Sequence, residues 1–440
     1  MENLRFQAYQ IIVKVLKKNV FSDKLLHKLS DKLKVSKENA SFVYSLVKGV
    51  IKRKKNLDFI CRKYVKQDKF DKTDLKIKTV LYMALYQILY MDSVPEHAAV
   101  NESVALAKKI FGQKVANFVN AVVRSYLRNP KIEYPKEINK RLAVEYSFPE
   151  YIIDDWLKYF DEEATEMLCM HFNDIPNISI RINKLATSNS KLENYFKKKD
   201  VTLVNSEGSS SVYTSKSVKE ILKDVALSEG YYSVQDASAA MVVEIMDPMP
   251  GESIIDFFAA PGGKSTFIAE KMKNKGELVS IDKSPSKIKK LKRALERLQL
   301  NIVNTIAKDS FKYGPVAPAY DKVLLDVPCS GWGVFQKKAE LRWQQNQDIK
   351  KLIKLQYEAL EQGARFVKPG GYLIYSTCTM NDAENEKQVE RFLQKNKNFN
   401  LVQPHDFVPK KYIKDNYLKT IPHLHQMDGA FAAKMRKKEG

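Results

Sequence analysis

Along the first 128 residues, apolar positions recur three and four apart, the spacing of amphipathic helices. Phe6, Tyr9, Ile12 and Val13 make one such face, and Ala40, Val43, Leu46 and Val47 another. The stretch IKTVLYMALYQILYM, residues 77–91, is apolar almost all round, which predicts the central helix of a bundle. Glycine is nearly absent here and the first proline is Pro95, so little interrupts the helices. Pro130 and Pro135, in NPKIEYPKE, mark a linker, and EYSFPEYIIDDWLKYF follows as a short helical stretch. The period then changes. ISIRINKL alternates like a strand, SKLENYFKKK is helical, and VTLVN and SSVYTS are strand-like, predicting a small α+β module over residues 170–230. Beyond GYYSVQDASAAMVVEIM, short apolar runs alternate with helical ones: IIDFF, LVSID, IVNTIAKD, DKVLLDVPC and GYLIYSTC. Strands alternating with helices predict a doubly wound, mostly parallel sheet that binds ligands at its carboxyl edge. The chain thus reads as an all-α bundle (1–128), linker helices with a small α+β module (129–230), and an α/β Rossmann-like core (231–440).

Within that core, ESIIDFFAAPGGK is a strand, a Gly-rich turn and the start of a helix. This geometry brings backbone N–H groups and a helix N-terminus close to a ligand, and a Cβ at Gly262 or Gly263 is expected to hold that ligand away. Twenty positions beyond Gly262, Asp282 closes the next strand, where an acid suits the hydroxyls of a ribose. The turn is not G-x-G-x-x-G and no P-loop is present, which disfavours a dinucleotide or a nucleoside triphosphate. Asp256, Asp282, Asp309 and Asp326 all fall at predicted strand ends. Gln235, Asp236 and Ser238 precede a helix, where capping and site-shaping roles are both open.

Charge sharpens the choice of partner. The net charge is +22, and residues 1–140 carry +16 of it, 29 Lys and Arg against 13 Asp and Glu. So uneven an excess points to a polyanion, most simply nucleic acid. KRKK at 52–55, the Arg62–Lys63–Lys66 group, Arg181, Lys337, Lys338 and Arg342 are candidate backbone contacts; solvated faces are the plainer reading of the two basic runs, and an exposed strand-edge arginine that of Arg181. No apolar run approaches a membrane span and MENLRFQAYQ lacks a signal-peptide core, so a cytoplasmic protein is expected. Four cysteines without a C-x-x-C pair, and six histidines, disfavour a disulfide framework or a zinc site.

Two of those cysteines carry chemistry. DVPCSGWG (326–333) and STCTMNDAENE (376–386) each place a cysteine directly after a strand, at the ligand edge, while Cys61 and Cys169 read as core packing. Together with AAPGGK and Asp282, the two motifs resemble the RNA cytosine-5 methyltransferases. The helix KVANFVNAVVRSYLR, through Phe118, Val119, Asn120, Ala121 and Arg124, resembles the close of the NusB-type RNA-binding domain. That order of domains is similar to the bacterial small-subunit ribosomal RNA cytosine-5 methyltransferases of the Sun type.

The resemblance implies S-adenosylmethionine as cofactor, with Phe258, Ala259, Ala260, Pro261, Gly262, Gly263 and Lys264 as its turn, Asp282 at the ribose and Asp309 on the adenine side. It further implies Cys378 as the nucleophile, Cys329 as the cysteine that helps release product, and Asp326 as the contact to cytosine. DNA cytosine methyltransferases use the cysteine after proline, so Cys329 stands as a rival nucleophile. DFFAAPGGK departs from the common DLCAAPGGK at Phe258, and Ala430 replaces an aromatic in the closing M-D-G motif, where a last strand is predicted. Small-subunit ribosomal RNA is the expected partner of a monomer, with no DNA and no membrane. Transfer RNA as substrate, or a non-catalytic RNA chaperone or assembly factor, are the alternatives.

Overall fold

The computed structural model describes residues 4–18, 20–32, 37–314, 320–344, 349–404 and 406–439. The chain folds as two compact units, residues 1–174 with 335–345, and residues 175–334 with 346–440.

The first unit is helical. Residues 4–128 form helices Leu4–Lys18, Ser22–Lys32, Lys37–Lys52, Lys54–Lys63, Gln67–Asp71, Leu75–Tyr90, Glu96–Phe111 and Gln113–Arg128. As its all-apolar pattern predicts, Leu75–Tyr90 is the buried one: Asp74 caps it through Lys76 N at 2.6 Å, and Val80 through Leu85 have at most 1% exposure. Of the second predicted face, Val43, Leu46 and Val47 are buried and Ala40 is exposed.

The run at 52–55 is not a free cationic surface. Lys52 Nζ donates to the carbonyls of Asn173 and Asp174, Arg53 lies over the Tyr90 ring, Lys54 over Trp343, and Lys55 pairs with Glu150 at 3.0 Å. Arg62 is held by Asp58 and Asp71. Arg342, expected on the RNA backbone, is fully buried in this unit. Its guanidinium donates to the carbonyls of Lys52, Ser147 and Phe172 and to Asn173 Oδ1, and lies 3.8 Å from the centre of the Phe148 ring. Lys338 is exposed and Lys337 half-buried.

The second unit holds two sheets. The smaller contains β1 (Ile178–Ile182), β2 (Val204–Asn205), β3 (Val212–Ser215) and β4 (Tyr232–Val234), in the antiparallel order β2-β3-β1-β4. β1 is an interior strand, so all five of its residues are buried and the alternation predicted for it is absent. Arg181 on β1 therefore neither meets solvent at an edge nor is placed to meet phosphate. It is fully buried, ion-paired with Glu270 at 2.8 Å and bonded to Gln235 and Thr266.

The larger sheet has nine strands among the described residues: β5 (Ser253–Phe257), β6 (Glu277–Asp282), β7 (Val303–Ala307), β8 (Tyr320–Asp326), β9 (Val367–Thr377), β10 (Phe399–Val402), β11 (Ile413–Lys414), β12 (Tyr417–Thr420) and β13 (Ala430–Lys437). Their order is β11-β12-β13-β9-β8-β5-β6-β7, and off this path β10 pairs antiparallel with residues 434–437 of β13. From β7 to β9 the pairs are parallel; β13 returns antiparallel to β9 and supplies the predicted last strand. Ile254, Leu278 and Leu324 pack on helices Ala237–Met246, Gly263–Lys271 and Pro285–Leu298; Ile255, Val279 and Val323 pack on the opposite face with Ile349–Ala364. Covering both faces is what turns these strands into unbroken apolar runs. No helix among the described residues is long and apolar enough to cross a membrane.

Candidate active site

The site lies where β5, β6, β8 and β9 release the chain into loops. After β5, Phe258 takes a φ of 64° and Gly262 one of 110° before the helix Gly263–Lys271 begins. A Cβ on Gly262 would come within 2.3 Å of Leu291 Cδ1, from the helix Pro285–Leu298. Within the chain itself, Gly262 is suited by its left-handed backbone and by its packing on that helix. At Gly263 a Cβ would meet only Gln235, at 3.5 Å. Ala259 and Ala260 are buried, Pro261 is exposed after a cis peptide bond, and the half-buried Phe258 ring meets Phe311 edge-on at 5.9 Å.

The four acids separate by environment. Asp282 closes β6 and is buried; its Oδ1 accepts from Ser284 N at 2.8 Å, while Oδ2 makes no hydrogen bond among the described residues. Asp309 sits past β7 and caps the turn Ser310–Lys312 through Phe311 N at 3.1 Å. Asp326 closes β8, accepts from Ser376 Oγ at 2.9 Å and pairs with Lys264 Nζ at 2.8 Å. Burial opposes the Lys264 charge, but Asp326, with smaller help from Cys378 and Asp256, outweighs it and raises the ammonium above its ordinary range. Asp256 lies beneath the edge, 1% exposed, with Ser265 Oγ donating to one oxygen at 2.5 Å and no partner for the other among the described residues. Burial pushes its carboxyl up to about 7, the Ser265 bond opposing and Asp326 adding.

Cys329 and Cys378 come together, Sγ to Sγ at 3.1 Å, both as free thiols, and Cys378 N donates to Cys329 Sγ at 3.2 Å. The hydrogen bond to Cys378 and burial, followed by the negative charges of Cys378 and Glu384, push the Cys329 thiol well above its ordinary range. Cys61 and Cys169 lie apart from the site, fully buried in the helical unit. The closing M-D-G motif reaches the site as well. Gly429 N donates to Gly333 O at 2.9 Å, and a Cβ on Gly333 would sit 2.0 Å from Gly429 O, so the Cys329 loop tolerates no side chain there. Asp236, upstream, caps the helix Ala237–Met246 through Ser238 N and accepts from Asp428 N at 3.1 Å.

A helix starting behind a bare Gly263, beside a buried strand-end carboxylate with one uncommitted oxygen, fits a ligand that carries a ribose and a small charged group. The comparisons agree. Residues 243–436 match the family model of the 16S rRNA methyltransferase RsmB/F, and residues 2–128 match the NusB family. "Probable ribosomal RNA small subunit methyltransferase B" of Bacillus subtilis (strain 168) is 32% identical over 450 residues, covering 99% of each chain. The chain belongs to this family. The protein of the same name from Synechocystis is 33% identical over 449 residues, covering 99% of this chain and 100% of its own. The crystal structure of PH0851 superposes with a TM-score of 0.83 at 27% identity, over 99% of this chain and 98% of that one. The fold is thus the Rossmann-like fold of S-adenosylmethionine-dependent methyltransferases behind a NusB-type helical region, and S-adenosylmethionine is the cofactor of the family.

Several residues of this site went unassigned in the sequence. Glu384, Asn385, Gln356, Ser376 and Thr379 tie the two cysteine loops together, and Asp256 is a buried acid rather than an edge acid. The available signal was ENE, the close of the STCTMNDAENE motif, whose Glu384 and Asn385 are buried.

Proposed function

We propose that the protein transfers a methyl group from S-adenosylmethionine to carbon-5 of a cytosine in small-subunit ribosomal RNA, through a covalent bond to Cys378. The observation that carries this reading is the thiol pair at the ends of β8 and β9, with Lys264 and Asp326 beside it. Carbon-5 of cytosine is a poor nucleophile until a thiolate adds to carbon-6 and makes it enamine-like. The resemblance to the RNA cytosine-5 methyltransferases favours Cys378 as the thiolate that attacks, with Cys329, 3.1 Å away, beside it for the release step.

Asp282 and the turn Phe258 to Lys264 would hold the cofactor, with Asp309 on its adenine side. When bound, S-adenosylmethionine supplies an electrophilic methyl group. Asp326, anchored by Lys264 and Ser376, is placed to contact the polar edge of the base. Once Cys378 Sγ is bonded to carbon-6 it carries no charge, and Cys329 lies 3.1 Å from it. Cys329 can then ionise to solvent and take the carbon-5 proton. The Cys378–carbon-6 bond breaks, its electron pair returns to sulfur, and the 5-methylcytosine ring is restored. The NusB-type region would supply RNA affinity through its excess of cations. The 1–128, 129–230 and 231–440 segments would correspond to RNA-binding, connecting and catalytic parts.

Trapping tests the assignment. Cys329→Ala, incubated with substrate RNA and S-adenosylmethionine, should give a denaturation-resistant protein–RNA band, because attack and methyl transfer proceed while release stalls. Cys378→Ala and the double variant should give none. A band from Cys378→Ala instead would make Cys329 the nucleophile, and no band from either single variant would remove the covalent route.

A further inference from the structure

The two cysteine loops do not hold themselves in place. Glu384 and Asn385, consecutive residues on the turn after Cys378, bracket one cysteine each. Asn385 Oδ1 accepts from Thr377 Oγ1 at 2.6 Å and its Nδ2 donates to Thr379 O at 3.0 Å, so both neighbours of Cys378 are tied to one amide. Glu384 Oε2 accepts from Ser330 N at 2.9 Å and from Gln356 Nε2 at 2.9 Å, and the same Gln356 nitrogen donates to Pro328 O at 3.0 Å. Both neighbours of Cys329 thus end on one carboxylate. Ser330 Oγ and Thr379 Oγ1, 2.7 Å apart, close the ring between the loops. The turn itself is pinned from β9 by Tyr375 OH, which donates to Glu384 O at 2.6 Å. Glu384 has no exposed surface, and its second oxygen has no partner among the described residues.

A carboxylate buried with no cation among the described residues, and used there only as a double acceptor, is a costly way to fix a loop. Its position, rather than stability, accounts for it. We propose that Glu384 is the positioning residue of the release step: it holds the Pro328–Ser330 segment so that Cys329 faces Cys378 and the carbon-5 proton. This rests on the two-cysteine reading above. It assigns Glu384 no contact with the base or the cofactor; it acts through Cys329 alone. Loss of the clamp should therefore leave attack intact and impair release. The variant should behave as a weaker Cys329→Ala.

The test uses the full-length protein, substrate RNA and S-adenosylmethionine, with cofactor affinity measured by calorimetry on every variant. Glu384→Ala should turn over about a hundredfold more slowly, the scale expected when a reacting group is misplaced by about an ångström. It should also accumulate the denaturation-resistant adduct while binding cofactor normally. Glu384→Gln keeps an oxygen for Ser330 N and Gln356, so it should restore turnover to within about tenfold of wild type and show little adduct. A purely structural role would lower cofactor binding and activity together and would give no adduct. Normal turnover without adduct in Glu384→Ala overturns the proposal. Should that variant fail to bind cofactor, Gln356→Leu, which cuts the tie to Pro328, decides: adduct is expected, and its absence overturns the proposal. Cys329→Ala runs alongside. If it too gives no adduct, the two-cysteine reading has failed; if it gives adduct and the Glu384 and Gln356 variants do not, this proposal alone has failed.

Discussion

Two arginines, one in each unit, are wholly buried and solve the same problem differently. Arg181 sits on β1 with a counter-ion, Glu270, at 2.8 Å, and its other bonds go to Gln235 and Thr266. Arg342 has four acceptors, the carbonyls of Lys52, Ser147 and Phe172 and the side-chain oxygen of Asn173, and none is a carboxylate. Each rests on an aromatic face, Phe267 at 4.4 Å for Arg181 and Phe148 at 3.8 Å for Arg342, and each leaves Nε without a partner among the described residues. Burial lowers the pKa of both, with Glu270 opposing it at Arg181, and Arg342 falls well below its ordinary range. An ion pair can be neutralised or replaced as a pair. A cage of carbonyls, most of them main-chain, cannot be removed by mutation. The first arrangement is replaceable and the second is not.

The largest expected effect follows from that difference. Arg342→Met should destabilise the helical unit by about 3 kcal/mol or more, since several buried acceptors lose their donor at once. Trp156 and Trp343 lie in that unit and report its unfolding in denaturant. A loss under about 1 kcal/mol would show that water or neighbouring donors take over the cage. Arg181→Met should cost less, about 2–3 kcal/mol, because Glu270, whose pKa burial has already pushed up to about 7 against the pull of Arg181, can escape by taking a proton. Arg181→Met with Glu270→Leu should return to within about 1 kcal/mol of wild type, as apolar replacement of a buried pair often does. If the double variant stays as weak as the single one, the contrast between pair and cage is wrong.

Both arginines were expected at the surface, and the reason is general. Their partners lie far away in the chain: Glu270 is 89 residues from Arg181, while Phe172 and Lys52 are 170 and 290 residues from Arg342. A basic residue in a polar stretch reads the same whether it faces solvent or a distant acceptor. The KRKK run failed for the same cause. What was legible is local in sequence. Unbroken apolar runs marked β5, β6, β8 and β9, the positions after them gave Asp282, Asp326, Cys329 and Cys378, and the apolar stretch at 77–91 gave the central helix. The packing of Gly262 on Leu291 was not legible, because Leu291 comes from a later helix. Glu384 stood beside the cysteine motif in plain view. Only the fold shows that its carboxylate belongs to the other cysteine's loop.

The last contrast is a pH dependence of opposite sign in the two regions. Glu270 is a carboxyl whose folded pKa, about 7, lies above its ordinary value of 4.5. The folded state holds this proton longer, so the group's contribution to stability is complete below 4.5, is lost as pH rises through 7, and is flat beyond. Lys52 is the reverse case: burial first, then Arg342 and Arg53, lower its pKa from 10.5 to about 7. Its folded form gives up the proton early, so the penalty is full below 7 and is relieved as pH climbs from 7 toward 10.5. Each limb can have a slope of at most one proton, about 1.4 kcal/mol per pH unit. Denaturant midpoints across pH 4–10, compared with wild type, should show Glu270→Gln removing the falling limb and Lys52→Met removing the rising one. Slopes unchanged in both variants would mean that neither group titrates as its burial demands. In Arg342→Met the rising limb should start at higher pH, because the arginine's charge is one of the causes that drive the Lys52 proton off; a limb that stays put would show that burial alone sets it.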